Sequence, residues 1–478
     1  MKISIYILII VLFFVSCEDI LKEEPKAIAV ETFYKTSDEI EASLYAIFQP
    51  INSQNCMGGL WPALLVSYDD NAYGRGSYGI LSEYKGLDNT NITRVGNMWV
   101  QFYKAIRNAN IVIANTYSSQ IPENLKTNYL GEAKFMRAFV YFQMVRVWGA
   151  IPLRTEENME INDLARTPVD QIYALIVDDL IFAEKNITTE KVGRPSKWAA
   201  KTLLAHVYLQ LGKWSEAEAK ASEVVNSGKY SLVEVTEPDD FLKLYGPNIG
   251  NSSEEIFYLK FTGMNGYGWW WVMFLHHPEK KYHGAGGFFA HYTDSIKNPV
   301  IANWDYNDLR RKFNFYPQVF GEGTTTLLCK KFQDPTAISQ TAAAVDYPLY
   351  KYSDLLLFYA EAINKSKNGP TEVAMECVNQ VRRRAYGYSS NKPSPVDYNV
   401  SDYNLTSFNE LILKERGYET VFEGKRWLDL ERLGIAGEII KSTKGITVAE
   451  KNYLWPIPIN ETDYNDLIDA VSDQNPGY

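Results

Sequence analysis

The sequence predicts a mainly α fold: a tetratricopeptide-like scaffold of about four helix pairs carrying a loop-rich, aromatic-rich insertion lobe. Three observations predict it. Apolar residues recur at helical spacing, with small and large side chains alternating where paired helices would cross. One long stretch, residues 231–347, abandons that grammar for glycine, proline and aromatics. The chain of 478 residues is 46 % hydrophobic and 22 % charged, enough to bury a large core, and residues 17–478 read as one domain. With 58 acidic against 48 basic residues the net charge is −10, which excludes nucleic acid as a partner and disfavours an anionic membrane surface.

Residues 1–16 read as a secretory signal peptide: Lys2 precedes an apolar run from Ile3 to Val15, too short for the roughly 20 residues that span a bilayer. Ser16-Cys17 follows, and the segment resembles the lipobox of bacterial lipoproteins, with Phe14 where leucine is usual. That resemblance implies cleavage before Cys17 and acylation of its thiol, several chains giving firmer anchoring than one. Glu18 and Asp19 resemble the acidic signal that exports Bacteroidetes lipoproteins to the cell surface. Cys56, Cys329 and Cys377 are far apart and odd in number, and read as small buried hydrophobes.

Residues 17–230 are expected to form helical repeats. In "SKWAAKTLLAHVYLQLGKWSEAEAKASEVVNSGKY", Leu204, Tyr208 and Leu211 share a helical face, Gly212 turns the chain, and Ala217, Ala221 and Val224 face back from a second helix. Ala205, Tyr208 and Ala217 match the small and large positions of a tetratricopeptide pair. Further pairs run from "EAKFMRAFVYFQMVRVWG" to "TPVDQIYALIVDDLIFAEKN" and from Asp38–Ile47 to Asn97–Tyr117. In residues 348–478 a looser copy places Tyr359 and Ile363 on one helix and Ala374, Cys377 and Val381 on the next.

Two stretches are not repeats: residues 67–95, rich in Gly, Asn, Tyr and Asp, and the insertion 231–347. Long irregular excursions in a compact domain are usually functional. The insertion holds "GYGWWWVMFLHH", in which Trp269, Trp270 and Trp271 stand in a row. Neighbouring side chains point in different directions, so one of the three is expected to point inward and at least one to be exposed. Around them lie Tyr267, Tyr282, Tyr292, Trp304 and Tyr306, with Asn265, Asn303 and Asp305 interspersed. Exposed rings among amides and carboxylates suit a sugar, whose C–H patches alternate with hydroxyls. At about 0.5–1.5 kcal/mol per stacked ring, two or three rings and a few hydrogen bonds give a Kd of roughly micromolar to millimolar.

"EAKFMRAFVYFQMVRVWGAIPL", "YKYSDLLLFYAEAIN", "ILKERGYETVFEGKRWLDLERLG" and the ending "LWPIPINETDYNDLIDAVSDQNPGY" together resemble the SusD/RagB family of surface nutrient-binding lipoproteins across essentially the whole chain after the leader. The resemblance implies a lipid-anchored, surface-exposed outer-membrane protein with an oligosaccharide ligand and a TonB-dependent SusC-like transporter as partner. It implies capture without chemistry, so neither a catalytic residue nor a cofactor is expected. By position, the resemblance points to Tyr73, Arg75 and Tyr78, beside "YDDNAYGRG", and to Trp269, Trp270, Trp271 and Trp304 as ligand-binding residues. The Arg75 guanidinium would donate to vicinal hydroxyls. Glu415, Arg416, Glu423, Arg426, Trp427, Asp429 and Arg432 alternate charges with aromatics as buried ion pairs would, and Trp455, Pro456 and Pro458 read as a fixed segment docking the C-terminus.

Three rivals stay open. A glycoside hydrolase needs two carboxylates about 5–10 Å apart, for which Asp69, Asp70, Asp305 and Asp308 lie in suitable loops. A RagB-like peptide binder would use the same aromatic surface. A metal site is suggested by His276, His277, His283 and His291, but no HExxH-type spacing accompanies them and none is expected.

Overall fold

The computed structural model describes residues 34–478 apart from 280, 281 and 320; the leader and Cys17 lie outside the described residues. The long scaffold helices, numbered in chain order, are α1 Ser37–Asn52, α2 Leu60–Tyr68, α3 Asn89–Ser118, α4 Glu123–Trp148, α5 Val169–Asn186, α6 Lys197–Gln210, α7 Trp214–Val225, α8 Tyr352–Ser366, α9 Glu372–Ala385 and α10 Leu405–Glu419. Their starts follow from capping chemistry. Thr36 and Glu39 form a reciprocal capping box on α1, Asp88 caps α3, Ser196 caps α6 and Thr371 caps α9, each accepting from an otherwise orphaned backbone N–H. Helix α4 is buried on nearly every face along most of its length, its buried polar residues Asn128, Glu132 and Arg137 taking hydrogen-bond or ion-pair partners.

The helices stack in order: α3 on α4, α4 on α5, α5 on α6 and α6 on α7. The order then jumps. Helix α7 packs on α8, which continues onto α9 and α10, so the stack closes over the insertion as though it were absent. All four helix pairs expected from the sequence pack together.

The strands are short: β1 Tyr73–Gly74, β2 Ile151–Pro152, β3 Arg166–Thr167, β4 Glu255–Leu259, β5 His291–Asp294, β6 Phe315–Pro317, β7 Thr326–Cys329 and β8 Tyr347–Lys351. Antiparallel pairing of β4 with β8 zips the ends of the insertion together. Within it, β5, β7 and β6 form a sheet that recruits β1 from the N-terminal half, in the order β1-β5-β7-β6. The stretch 67–95 is less irregular than expected, since Ser67 and Tyr68 finish α2 and the residues from Asn89 onward begin α3.

Ion pairs buried on both sides fasten the lobe to the C-terminal helices. Arg310 of the insertion binds Asp308, Glu415 and Glu419; Arg384 joins Glu254 to Glu419; and Lys331 and Lys351 converge on Glu423. Arg416 pairs with Asp429, and Arg432 with Glu361 and Asp429. The alternating charges at 415–432 are therefore the structural ion pairs that the sequence suggests. Burial would raise the Glu423 carboxyl, but the ammonium groups of Lys331, Lys351 and Lys425 hold it below its usual value. Trp455 and Trp148 meet edge to face at 5.2 Å while the Trp148 indole donates to the Pro456 carbonyl, so the C-terminal segment is docked.

The tryptophan run departs from expectation. Trp269 and Trp271 are both wholly buried, and only Trp270 keeps part of its ring in solvent. Trp269 stacks on Tyr347 at 4.8 Å, meets Phe332 edge-on at 4.7 Å and donates to the Met57 carbonyl. Trp271 donates to the Phe422 carbonyl, and its backbone N–H bonds Gly58. The run lies between the N-terminal turn and the C-terminal helices, covered on both sides, so two of its three rings find a core. Gly268 is demanded by the same closeness: a Cβ there would stand 2.3 Å from the Ala343 nitrogen.

Candidate functional site

The chain leaving α2 is fixed before it reaches the sheet. Arg426 grips Asp70 with two hydrogen bonds of 2.9 and 2.8 Å, Asn298 donates to the Asp70 carbonyl and Thr293 to that of Asn71. Asp69, wholly buried, accepts the Trp427 N–H; burial, then the neighbouring Asp70 carboxylate, push its carboxyl well above the usual range. Gly74 has no room for a side chain, since a Cβ would meet the Tyr78 carbonyl oxygen at 2.4 Å.

Strand alternation then sorts β5. His291 and Thr293 point inward, the His291 ring lying 3.0 Å from the Ser67 hydroxyl and 2.8 Å from the Ala63 carbonyl on α2. Burial pulls His291 down to about 3, so it is neutral at physiological pH. Tyr292 points the other way. Antiparallel register places Tyr73 opposite Tyr292, continues to Leu328 and ends at Tyr316, a row of three tyrosines and a leucine across all four strands. Tyr73 and Tyr292 are half-buried and stacked, with centroids 5.4 Å apart and planes 29° apart. Phe289, Tyr316 and Leu328 form a small buried cluster of their own at the far end of this face, flanked by Tyr282 and Tyr292.

The polar edge comes from Arg75, whose guanidinium stands 4.0 Å over the Phe289 ring and pairs with Glu322 at 3.2 Å. The Lys444 ammonium lies 4.8 Å from the Tyr73 ring and donates to the Ala72 carbonyl. Burial raises both tyrosine hydroxyls, with the Glu322 carboxylate adding to the effect at Tyr292, so both remain protonated donors at neutral pH. Half-exposed rings, hydroxyl donors and an arginine–carboxylate edge can stack on a ring-shaped ligand and bond its hydroxyls.

Of the expected ligand residues, Tyr73 and Arg75 stand at this face. Tyr78 does not: it is buried against Phe274 and His291, with Arg94 covering its ring at 4.1 Å. Trp269, Trp271 and Trp304 are likewise withdrawn. Trp304 lies flat on Tyr418 at 4.1 Å and 7° and donates to Asp308, bracing the lobe on α10. Tyr292 and Glu322 were not selected from the sequence; the alternation of apolar and polar side chains in "HYTD" was the signal available for Tyr292.

The hydrolase carboxylates are engaged elsewhere. Asp70 is paired with Arg426, Asp69 lies under Trp427, Asp308 caps a helix and binds Arg310, and Asp305 accepts from the Tyr386 hydroxyl. His276 bonds the Phe332 carbonyl, and among the described residues no three His, Cys, Asp or Glu side chains are grouped to hold an ion. Cys56, Cys329 and Cys377 are buried free thiols.

Residues 21–209 match a family model described as SusD-like, starch-binding and associating with the outer membrane, and residues 269–452 match that of the SusD family. A SusD-like protein, P2, of Formosa agariphila is 28 % identical over the whole of both chains, and a SusD-like protein of Bacteroides ovatus is 36 % identical over 24 % of this chain and 22 % of its own. Among solved structures, a SusD homologue from Bacteroides thetaiotaomicron superposes with a TM-score of 0.79 at 22 % identity, covering 94 % of this chain and 98 % of that one. Surface glycan-binding protein A from Bacteroides fluxus gives 0.76 at 22 % identity, and a laminarin-binding SusD-like protein 0.74 at 23 %, each match covering 93 % of this chain and all of the other. At these identities the structures establish a shared fold.

Proposed function

The chain belongs to the SusD/RagB family, and from that premise we propose that it captures oligosaccharides on the outer face of the four-stranded sheet. The observation that carries this reading is the Tyr73–Tyr292 stack, half-exposed on a sheet whose other side is anchored to α2, with Arg75 and Glu322 at its edge. Rings held in place before the ligand arrives lose little conformational freedom on binding, which favours affinity. Relatives that bind laminarin and surface glycans support a saccharide ligand.

The protein acts as a lipid-anchored receptor at the cell surface, held by Cys17, which hands its ligand to a TonB-dependent SusC-like transporter in the outer membrane. Among the described residues no helix is long and apolar enough to cross a membrane, which is compatible with anchoring by acyl chains. The ligand leaves unaltered; Asp69, Asp70, Asp305 and Asp308, the carboxylates considered for hydrolysis, are engaged by a backbone N–H, Arg426, the Tyr386 hydroxyl and Arg310 respectively.

Calorimetric titration with laminarin and starch oligosaccharides tests the reading. Binding that weakens in Tyr73→Ala and Tyr292→Ala, with thermal unfolding little changed, supports it. Binding of peptides alone would leave the family and replace the ligand class; shortened saccharides in the recovered sample would make the protein a hydrolase.

A further inference from the structure

A second cleft lies on the scaffold, away from the sheet. It has a volume of about 1000 Å³ and opens between α3, the loop 154–163 and the C-terminal segment 460–466. None of the residues at the sheet face, Tyr73, Arg75, Tyr292 or Glu322, lines this cleft.

The cleft's inner wall is built. The Trp99 and Tyr103 rings touch, with centroids 4.9 Å apart; the indole donates to Glu461 and the Tyr103 hydroxyl to the Pro152 carbonyl. Arg154 holds the loop by donating to the Ile161 and Asn162 carbonyls, each at 2.7 Å. Its rim is unengaged. Among the described residues, the side chains of Lys104, Arg107 and Asn460 and the Tyr464 hydroxyl take no hydrogen-bonding or ion-pair partner, and the Tyr464 ring is 84 % exposed.

The charges that line the cleft nearly balance, Lys104, Arg107 and Arg154 facing Glu160, Asp163, Glu461 and Asp466. A strongly charged ligand gains nothing there. Aromatic rings beside amides and unused donors suit a neutral polyhydroxylated chain, and the volume lies at the top of the range of ligand clefts. We infer that this cleft is a second saccharide-binding site, independent of the sheet face. It stands on different residues from the proposed receptor site and shares only the ligand class with it.

Native mass spectrometry of the detergent-solubilised full chain, incubated with hexasaccharides from laminarin and from starch and with a tryptic peptide digest, tests this. The expected spectrum shows a second saccharide bound to the same chain. The double variant Arg107→Ala, Tyr464→Ala should lose one of the two, and Tyr73→Ala, Tyr292→Ala the other; all four side chains reach solvent, and an unchanged melting curve verifies folding. A single adduct lost only in the Arg107, Tyr464 variant keeps the cleft and removes the sheet face. A single adduct lost only in the Tyr73, Tyr292 variant does the reverse. A second adduct indifferent to Arg107 and Tyr464, adducts of peptide alone, or no adduct at all overturns the inference.

Discussion

Two aromatic groups of the insertion meet opposite fates. Trp269, Trp271 and Trp304 are the larger rings and are buried, whereas Phe288 and Tyr292, which lie in the chain between the tryptophan run and Trp304, keep ring surface in solvent. The difference lies in how many sides of each segment are covered. The run at 269–271 is pressed between the turn at Met57–Gly58 and the backbone at Phe422, while the β1–β5 pair is packed on α2 on one side and only partly covered on the other, where Tyr73 and Tyr292 keep ring surface in solvent. A cluster of aromatics in a sequence therefore marks a place where much apolar surface is buried or offered, and the number of covering layers decides which.

The first way to break this comparison is Trp269→Ala. If the run is a plug, equilibrium unfolding in guanidinium should show a loss of about 3–5 kcal/mol, as for other large buried side chains, while saccharide affinity per folded molecule stays unchanged. Loss of affinity without loss of stability would make Trp269 a platform after all.

Falling and rising pH should act on different parts of the molecule. At the lobe's seam, Glu423 and Asp354 are held below the usual carboxylate range by their lysine partners, against the effect of burial. Their contribution is present above the unfolded pKa of about 4 and is lost as pH falls through the folded values. Glu423→Gln, leaving Lys331 and Lys351 short of a partner, should cost up to about 3–5 kcal/mol at neutral pH and flatten the acid limb of a stability–pH curve. Beneath the sheet Asp69 is shifted upward by burial and Asp70, so its contribution is full below the unfolded pKa and is lost as pH rises through the folded value. Asp69→Asn should flatten the fall in stability as pH rises above about 4 and leave the acid limb intact.

Tyr292→Ala sharpens the comparison from the other side. Removing one stacking ring should cost about 0.5–1.5 kcal/mol of binding, a factor of roughly two to thirteen in Kd by calorimetry, with a smaller loss of stability than Trp269→Ala. The smallest effect is expected from Trp270→Ala, whose ring is only part-buried: a stability change within about 1 kcal/mol and no change in saccharide affinity.

The helix pairs were legible because each is local: Ala205, Tyr208 and Ala217 lie within one supersecondary unit whose spacing alone forces them together. The ion pairs at 415–432 were legible for a related reason, as charges set among aromatics have no stable place in a core unless paired. The family followed from motifs spread along the chain. Of the proposed binding face, Tyr73 and Arg75 were legible from their position, whereas Tyr292 and Glu322 enter through pairing and packing of separate segments of the insertion.

The sequence by itself therefore determined the repeats, the buried charges and the family, because helical periodicity and the penalty for an unpaired buried charge act whatever lies on the other side of the molecule. Only the tertiary structure decided which aromatics face solvent. The Trp269 indole bonds a carbonyl 212 positions away and that of Trp271 one 151 positions away. A side chain's exposure is set by whatever layers the fold lays over it, and in this chain those layers come from its two opposite ends.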